Sequence, residues 1–284
     1  MGVSATPESS RQVRLLATDL DGTLLRSDGT VSARTKTTLR RASRAGMHHV
    51  IVTGRPAGRL VELFTELDYR GLAVCAHGAQ VYDVGNHAFI HSELLDGRLA
   101  RAVIDRIAAA VGSLALAADV HGWPGEFVSE RSFGDIGPPV LTPHRLVDRA
   151  GIWHDAIGKV VLRSEDRTDG ELVEVASRCC VPGVSVTHGG PGFVELVPSG
   201  WDKAGGLSIV AELLDIEPDE VVAFGDMPTD IPMMRWAGLG AAVSNAHPDA
   251  LAVADRIVAS NDEDGVAQMI DQILNEMTAG SAVE

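Results

Sequence analysis

Twice along this chain, short apolar runs rich in β-branched residues alternate with helical stretches, and a long segment of different character separates the two portions. No other feature narrows the fold as far. "VRLLAT" (13–18), "MHHVIVT" (47–53) and "LAVCA" (72–76) read as strands. Between them, "SARTKTTLRRASRAG" has Ser32 as an N-cap and Gly46 as a stop, and "PAGRLVELFTEL" carries Pro56 in its first turn. This βαβαβ order predicts a parallel sheet wrapped by helices through right-handed crossovers. After Pro198 the alternation returns: helix "DKAGGLSIVAELL", strand "VVAF", a helix from near Thr229, strands "GAAVS" and "ADRIVAS", and a last helix over 265–276.

Between these portions, "AQVYDVGNHAFIHSEL" reads as a hairpin turning at Gly85 and Asn86, followed by a helix with Leu99, Val103, Ile107 and Val111 on one face. Residues 120–155 carry Gly, Pro, Trp and His in "HGWPGEF" and "GDIGPPVLTPHR", the composition of long surface loops. "KVVLR", "GELVEVASRCC", "VSVTHG" and "GFVELVP" then read strand, helix, strand, strand. The expected assembly is an α/β protein with a Rossmann-like parallel core built discontinuously from 12–86 and 197–276. An inserted α+β domain spans 87–196, and 1–11 and 277–284 form loose tails.

Composition excludes several roles. Lys plus Arg number 24 against 39 Asp plus Glu, a net charge of −15 without a segregated basic face, which repels nucleic acid backbones. No apolar run approaches the roughly 20 residues of a membrane span, and the first residues lack the pattern of a secretory signal. Cys75, Cys179 and Cys180 form no disulfide framework and read as small core residues in a reducing cytoplasm. His87 and His91 flank the strand-like "AFI" without further ligands at a recognisable spacing, which argues against zinc.

In an open parallel sheet, ligands bind beyond the carboxyl ends of the strands. Asp19 and Asp21, Thr53-Gly54-Arg55, and Asp226 with Asp230 in "GDMPTD" all follow apolar strands, whereas Lys203 opens a helix, a place where a cation suits a shared anion. Taken singly each has an ordinary reading: a strand-end Asp is often an N-cap, a Thr a turn residue, an Arg or Lys a solvated surface group. Asp19 is the hardest to explain structurally, because nothing near it in sequence pairs with it.

This set resembles the haloacid dehalogenase superfamily of phosphotransferases, in its Cof-type (class IIB) branch. "DLDGTLL" is similar to the first motif, "VTGR" to the second, "GWDKAGGL" to the third and "AFGDMPTDIPMMRWAGLG" to the fourth, in order, and the insert between the second and third to the Cof-type cap. The resemblance implies a Mg²⁺-dependent phosphatase acting on a small phosphorylated metabolite: a sugar phosphate, pyridoxal phosphate or a flavin-related phosphate. It implies Asp19 as nucleophile forming an aspartyl phosphate and Asp21 as general acid and then base. Asp19, the Asp21 carbonyl and Asp226 would be the metal ligands. Thr53, the Gly54 amide and Lys203 would hold the phosphoryl group, with Asp21 beside it, and Asp230, Thr229 and Arg55 would support the site. Asp230 would hold Lys203 or a water.

Along an ideal strand the side chains of Asp19 and Asp21 would point the same way, so the Gly22 turn is expected to separate them. Two positions depart from the family pattern. Thr229 replaces the usual Asn of "GDxxND", and His77-Gly78-Ala79 replaces "NGA", with His77 expected as a hydrogen-bonded structural residue. In the insert, the WPG turn is the expected specificity loop, and Trp123, Phe127, Phe133 and Trp153 read as cap core ahead of substrate contacts. Two other functions fit the same residues: a phosphosugar mutase, and a phosphate-binding protein without turnover. A cytoplasmic monomer or homodimer, binding neither nucleic acid nor membrane, is the expected setting.

Overall fold

The computed structural model describes residues 12–121, 125–135, 145–153, 156–190 and 192–280. In chain order the chain begins with β1 (Leu15–Thr18), α1 (Ala33–Arg44) and β2 (His48–Val52), then α2 (Val61–Leu67), β3 (Leu72–Cys75), β4 (Gln80–Asp83) and β5 (Ala88–Ser92). It continues with α3 (Gly97–Val111), β6 (Ala115–Val120), β7 (Glu126–Glu130), α4 (Arg131–Asp135), β8 (Arg145–Val147), β9 (Ile157–Arg163), α5 (Asp169–Cys179), β10 (Val184–Gly190) and β11 (Phe193–Pro198). The last portion contains α6 (Lys203–Leu213), β12 (Val221–Gly225), α7 (Ile231–Trp236), β13 (Leu239–Val243), α8 (Pro248–Val253), β14 (Arg256–Val258) and α9 (Gly265–Gly280). These elements fall into two compact units, one of Met1–Ile51 with Leu207–Glu284 and one of Val52–Gly206.

In the first unit, strands run in the order β14-β13-β12-β1-β2, every neighbouring pair parallel. All residues of β1 and β12 are buried, as expected where helices cover both faces of a parallel sheet. Leu15, Leu16, Ile51 and Phe224 are 0% exposed, and each such side chain stabilises the fold by about 1.5–3 kcal/mol. The Ser32 side chain accepts from the Thr35 amide, capping α1 as its sequence predicts.

In the second unit, β3, β4 and β5 form an antiparallel meander, the expected hairpin included. A six-stranded sheet follows in the order β10-β11-β9-β6-β7-β8. Alternation along its strands sorts the two faces. Leu116, Ala118, Val160, Leu162, Val194 and Leu196 pack with α3 and α5, while Ala115, Ala117, Val161, Phe127 and Phe193 point to the other face, joined by Phe133 of α4.

Two expectations need correction. Residues 120–155 are not loop throughout, because β7 pairs with β6 and β8 pairs with β7. "PAGRLVELFTEL" is not one helix either: a 3-10 turn covers Ala57–Arg59, and Leu60, with φ −110° and ψ 2°, breaks the backbone before α2 begins. Phe127 and Phe133 are buried core residues, as read, and Trp153 packs against the α3 cluster. Trp123 and Pro124 of the WPG turn lie outside the described residues.

Candidate active site

Strands β1 and β12 are parallel neighbours in register, Thr18 beside Phe224, so the residues that follow them emerge side by side. The Asp19 amide donates to the Phe224 carbonyl at 3.0 Å, extending the ladder by one bond before both chains turn away. Topology thereby brings together two residues 207 positions apart, 226 minus 19. Asp19, Asp226 and Asp230 are all buried, and each offers a carboxylate oxygen within 4.8 Å of the others.

The local turns hold this arrangement. Asp19 and Asp21 lie beyond the strand, since β1 ends at Thr18 and Leu20–Leu24 form a single wide turn that contains Gly22. Asp19 is buried at its mouth, whereas Asp21, with φ −76° and ψ 114°, is exposed. Gly22 has φ +82°, and a Cβ there would lie 2.5 Å from Asp226 Oδ2, so close approach and backbone conformation both require glycine. Thr23 Oγ1 donates to Asp226 Oδ1 at 2.9 Å. Asp230 Oδ2 accepts from the amides of Asp226 and Met227 at 3.1 and 2.9 Å and so fixes the loop that presents Asp226. Gly225 is pressed to Asp230, where a Cβ would meet the Asp230 Cβ at 2.4 Å. Thr229 lies in the 3-10 turn Pro228–Asp230.

Three further residues complete this frame. Asn245 Nδ2 donates to the Gly22 carbonyl at 2.8 Å, its Oδ1 accepts from the Asn261 amide at 3.0 Å, and the His247 amide donates to the Asp226 carbonyl at 2.7 Å. Sequence reasoning missed Thr23, Asn245 and His247. Asn245 follows β13 closely, so the strand-end rule that singled out Asp226 applied to it as well.

An all-oxygen set of close, buried carboxylates suits a hard divalent cation such as Mg²⁺.

The remaining candidates belong to the second unit. Thr53, Gly54 and Arg55 form a loop whose three carbonyls are all occupied. The His77 amide bonds Thr53 O at 3.1 Å, Lys159 Nζ bonds Gly54 O at 3.1 Å, and the Ala76 amide bonds Arg55 O at 3.0 Å. Thr53 Oγ1 accepts from the Arg55 amide. Gly54 is packed on the His77 ring, which a Cβ would meet at 2.4 Å. Ala76, His77 and Gly78 all have positive φ, a tight turn that also abuts the Asp202 carbonyl, the residue before Lys203. Lys203 is buried at the start of α6 and is close enough to disfavour the charged form of His77. Thr53, Gly54 and Lys203 thus gather around one turn.

That turn is tied to the six-stranded sheet by a buried charge network absent from the sequence reading. Lys159 Nζ and Glu195 Oε1 are 2.6 Å apart, and Glu195 Oε2 lies 3.2 Å from His77 Nε2. Burial pushes Glu195 upward, but Lys159 and His77 outweigh it and hold the carboxyl down to about 2. Burial lowers the His77 pKa against the pull of Glu195, in keeping with its expected structural role. The signal was a charged residue inside each apolar run, Lys159 in "IGKVVLR" and Glu195 in "GFVELVP". Only the strand register shows that they converge.

Comparison with known proteins agrees with this architecture. Residues 16–270 match the family of haloacid dehalogenase-like hydrolases. The chain is 30% identical over 259 residues to the 5-amino-6-(5-phospho-D-ribitylamino)uracil phosphatase YcsE of Bacillus subtilis, covering 91% of this chain and 94% of that one. It is 27% identical to the 5-amino-6-(5-phospho-D-ribitylamino)uracil phosphatase YbjI of Escherichia coli, over 92% of this chain and 96% of that protein. A crystal structure of a haloacid dehalogenase-like hydrolase from Bacteroides thetaiotaomicron superposes with a TM-score of 0.78 at 28% identity, covering 92% of this chain and 100% of the other.

Proposed function

The chain belongs to the haloacid dehalogenase-like hydrolases and is a phosphatase of their Cof type, and from that premise we propose that it is a Mg²⁺-dependent phosphomonoesterase working through a phosphorylated Asp19. The observation that carries this reading is the buried meeting of Asp19, Asp226 and Asp230 beyond β1 and β12. In the first step an Asp19 oxygen attacks phosphorus, the bond from phosphorus to the ester oxygen breaks, and Asp21 gives that oxygen a proton. In the second, Asp21 takes a proton from water as the water oxygen attacks phosphorus, and the bond to Asp19 breaks to release inorganic phosphate. The exposure of Asp21 suits a group that must lose one proton and regain one in each cycle.

Thr53, the Gly54 amide and Lys203 hold the phosphoryl oxygens. The Thr53 amide bonds Val74 O at 2.8 Å and the Arg55 amide bonds Thr53 Oγ1 at 3.1 Å, so the Gly54 amide is the main-chain donor of this loop that supports the role. Asp230, Thr229 and Arg55 support the site, Asp230 through its hold on the Asp226 loop. Asp19, the Asp21 carbonyl and Asp226 would hold a Mg²⁺ ion, which when bound would neutralise the negative charge of the carboxylate and the phosphoryl group. Residues 12–86 and 197–276 form the catalytic core and 87–196 its cap. The relatives named for 5-amino-6-(5-phospho-D-ribitylamino)uracil favour a flavin-related phosphate over a sugar phosphate or pyridoxal phosphate. Among the described residues no helix is long and apolar enough to cross a membrane, and a cytoplasmic setting completes the reading.

The test is release of inorganic phosphate from a panel of phosphorylated metabolites with Mg²⁺. Asp19→Asn is expected to lower turnover at least about a thousandfold, equivalent to about 4 kcal/mol of barrier, and EDTA to abolish it. Turnover retained in Asp19→Asn rejects the mechanism.

A further inference from the structure

Strand β5 carries a bulge that sends two nearby rings to opposite faces. Residues paired across two strands share a face, and consecutive residues of one strand take opposite faces. Phe89 pairs with Tyr82 and His91 pairs with Val81, so Ile90 is the extra residue between them. Regular alternation would put Phe89 and His91 on one face; the bulge puts them on two. The Phe89 ring accordingly lies against Tyr82 and His121, with centroids 4.9 and 4.7 Å away, while the His91 ring lies against Trp201, 4.2 Å away and tilted by 39°. Bulges that re-aim a side chain in this way gather at sheet edges and beside active sites, and β5 is an edge strand.

Trp201 belongs to the link that delivers Lys203. Ser199, Gly200, Trp201 and Asp202 join β11 to α6, of which Lys203 is the first residue. Both ends of the link are tied: the Ser199 amide donates to Gly183 O at 3.3 Å, and Asp202 Oδ1 accepts from the Gly205 amide at 2.8 Å, closing the first turn of α6. Between the ties Gly200 has φ +87° and open space where a Cβ would stand, so the Trp201 side chain anchors the middle. Its ring also covers the start of α6, 3.7 Å from the place of a Gly205 Cβ. His91 Nε2 is buried, and among the described residues it has no hydrogen-bond partner. An unpaired buried nitrogen is a cost, so the stack of the ring, and not a bond through Nε2, is what this contact uses.

We propose that His91 is a positioning residue: stacked on Trp201, its ring fixes the link into α6 and so keeps the buried Lys203 ammonium in one place. The inference rests on the phosphatase reading above, in which Lys203 holds the phosphoryl group. A lysine is a point charge on a flexible stem, so what it contributes to a transition state depends on the backbone that carries it. A displacement of about 1 Å is enough to cost about a hundredfold in rate. With His91 truncated, Trp201 loses its partner ring and the link is tied at its ends alone.

The experiment compares wild type, His91→Ala and His91→Phe in two ways: kcat and KM for p-nitrophenyl phosphate with Mg²⁺, and the rate at which trinitrobenzenesulfonate labels Lys203, read by peptide mass spectrometry. In His91→Ala kcat should fall about 10- to 100-fold with KM within about threefold, because the ammonium matters most as charge builds in the transition state. Lys203 should label about 5- to 10-fold faster relative to Lys159, which is also buried in the same unit and reports general loosening. His91→Phe keeps a ring without the unpaired nitrogen and should restore both readouts to within about threefold of wild type. The proposal is overturned if Lys203 labels no faster in His91→Ala, if Lys159 gains as much, if kcat is unchanged, or if His91→Phe behaves like His91→Ala. If wild type hydrolyses no phosphate ester, the phosphatase reading fails by itself. The labelling of Lys203 then decides the positioning alone: a selective rise in His91→Ala, reversed in His91→Phe, supports it, and any other pattern overturns it.

Discussion

Replacing Lys159 by Met should unfasten the charge network that holds the Thr53–Arg55 loop. Lys159 and Glu195 lie 2.6 Å apart with side chains only 7% and 5% exposed. At an effective dielectric of about 20 their gross attraction is roughly 6 kcal/mol. Desolvation consumes most of that in the intact pair, but deleting one partner of a buried pair leaves the other uncompensated, at about 3–5 kcal/mol. Lys159→Met also removes the donor to Gly54 O, while its aliphatic chain still fills the space. Urea unfolding should therefore show a loss of about 3–5 kcal/mol near pH 7.5. The double variant with Glu195→Gln should lose at least about 2 kcal/mol less than the sum of the single losses. The pH dependence has a definite sign. In wild type Glu195 is held near 2, below its unfolded value of 4.5, so its contribution is present above 4.5 and disappears as pH falls through 2. Without Lys159, burial instead raises this carboxyl, protonation relieves the strain, and the penalty of Lys159→Met shrinks between pH 7.5 and pH 5. A loss below about 1 kcal/mol, or one independent of pH, refutes the reasoning.

Asp119 titrates in the opposite sense. Burial raises it to about 7 against Lys159 and Arg59, so the cost of ionising it is absent below 3.8, grows between 3.8 and 7, and is complete above 7. Asp119→Asn should stabilise the protein by about 1–3 kcal/mol at pH 8 and by almost nothing at pH 4, read from urea unfolding at both. Gly54→Ala forces a Cβ into the His77 ring and should cost about 1–3 kcal/mol. Most of that should return in a His77→Ser background, as thermal unfolding of the single and double variants will register. Thr23→Val keeps the shape but removes the donor to Asp226 Oδ1, with an expected loss of about 1.5–3 kcal/mol in urea.

The parallel core was legible because β1, β12 and the Val50–Val52 stretch of β2 are buried, largely apolar runs, and α1 between the first two strands carries an identifiable cap at Ser32. The same pattern located Asp19 and Asp226, since strand ends at a topological crossing are where ligands bind. Local pattern failed where backbone geometry decides. Asp21 follows a turn rather than a strand, so strand alternation could not describe it. Within 120–155, β7 and β8 are short and flanked by Gly and Pro, and pairing with β6 stabilises what local propensity does not. Asp119, Lys159 and Glu195 each look like a single polar interruption of an apolar strand. Their meeting depends on cross-strand register, which the sequence does not display.

The central claim is that Asp19 becomes the phosphoryl carrier, and an acid-quenched single turnover tests it most directly. Enzyme in excess over a phosphate ester, with Mg²⁺ present, is stopped within the first turnover and its peptides are analysed by mass spectrometry. A phosphoryl adduct on the Asp19 carboxylate, absent from Asp19→Asn, is the predicted result. Full release of phosphate with no adduct on Asp19 at any time point, alongside undiminished turnover in Asp19→Asn, contradicts the account.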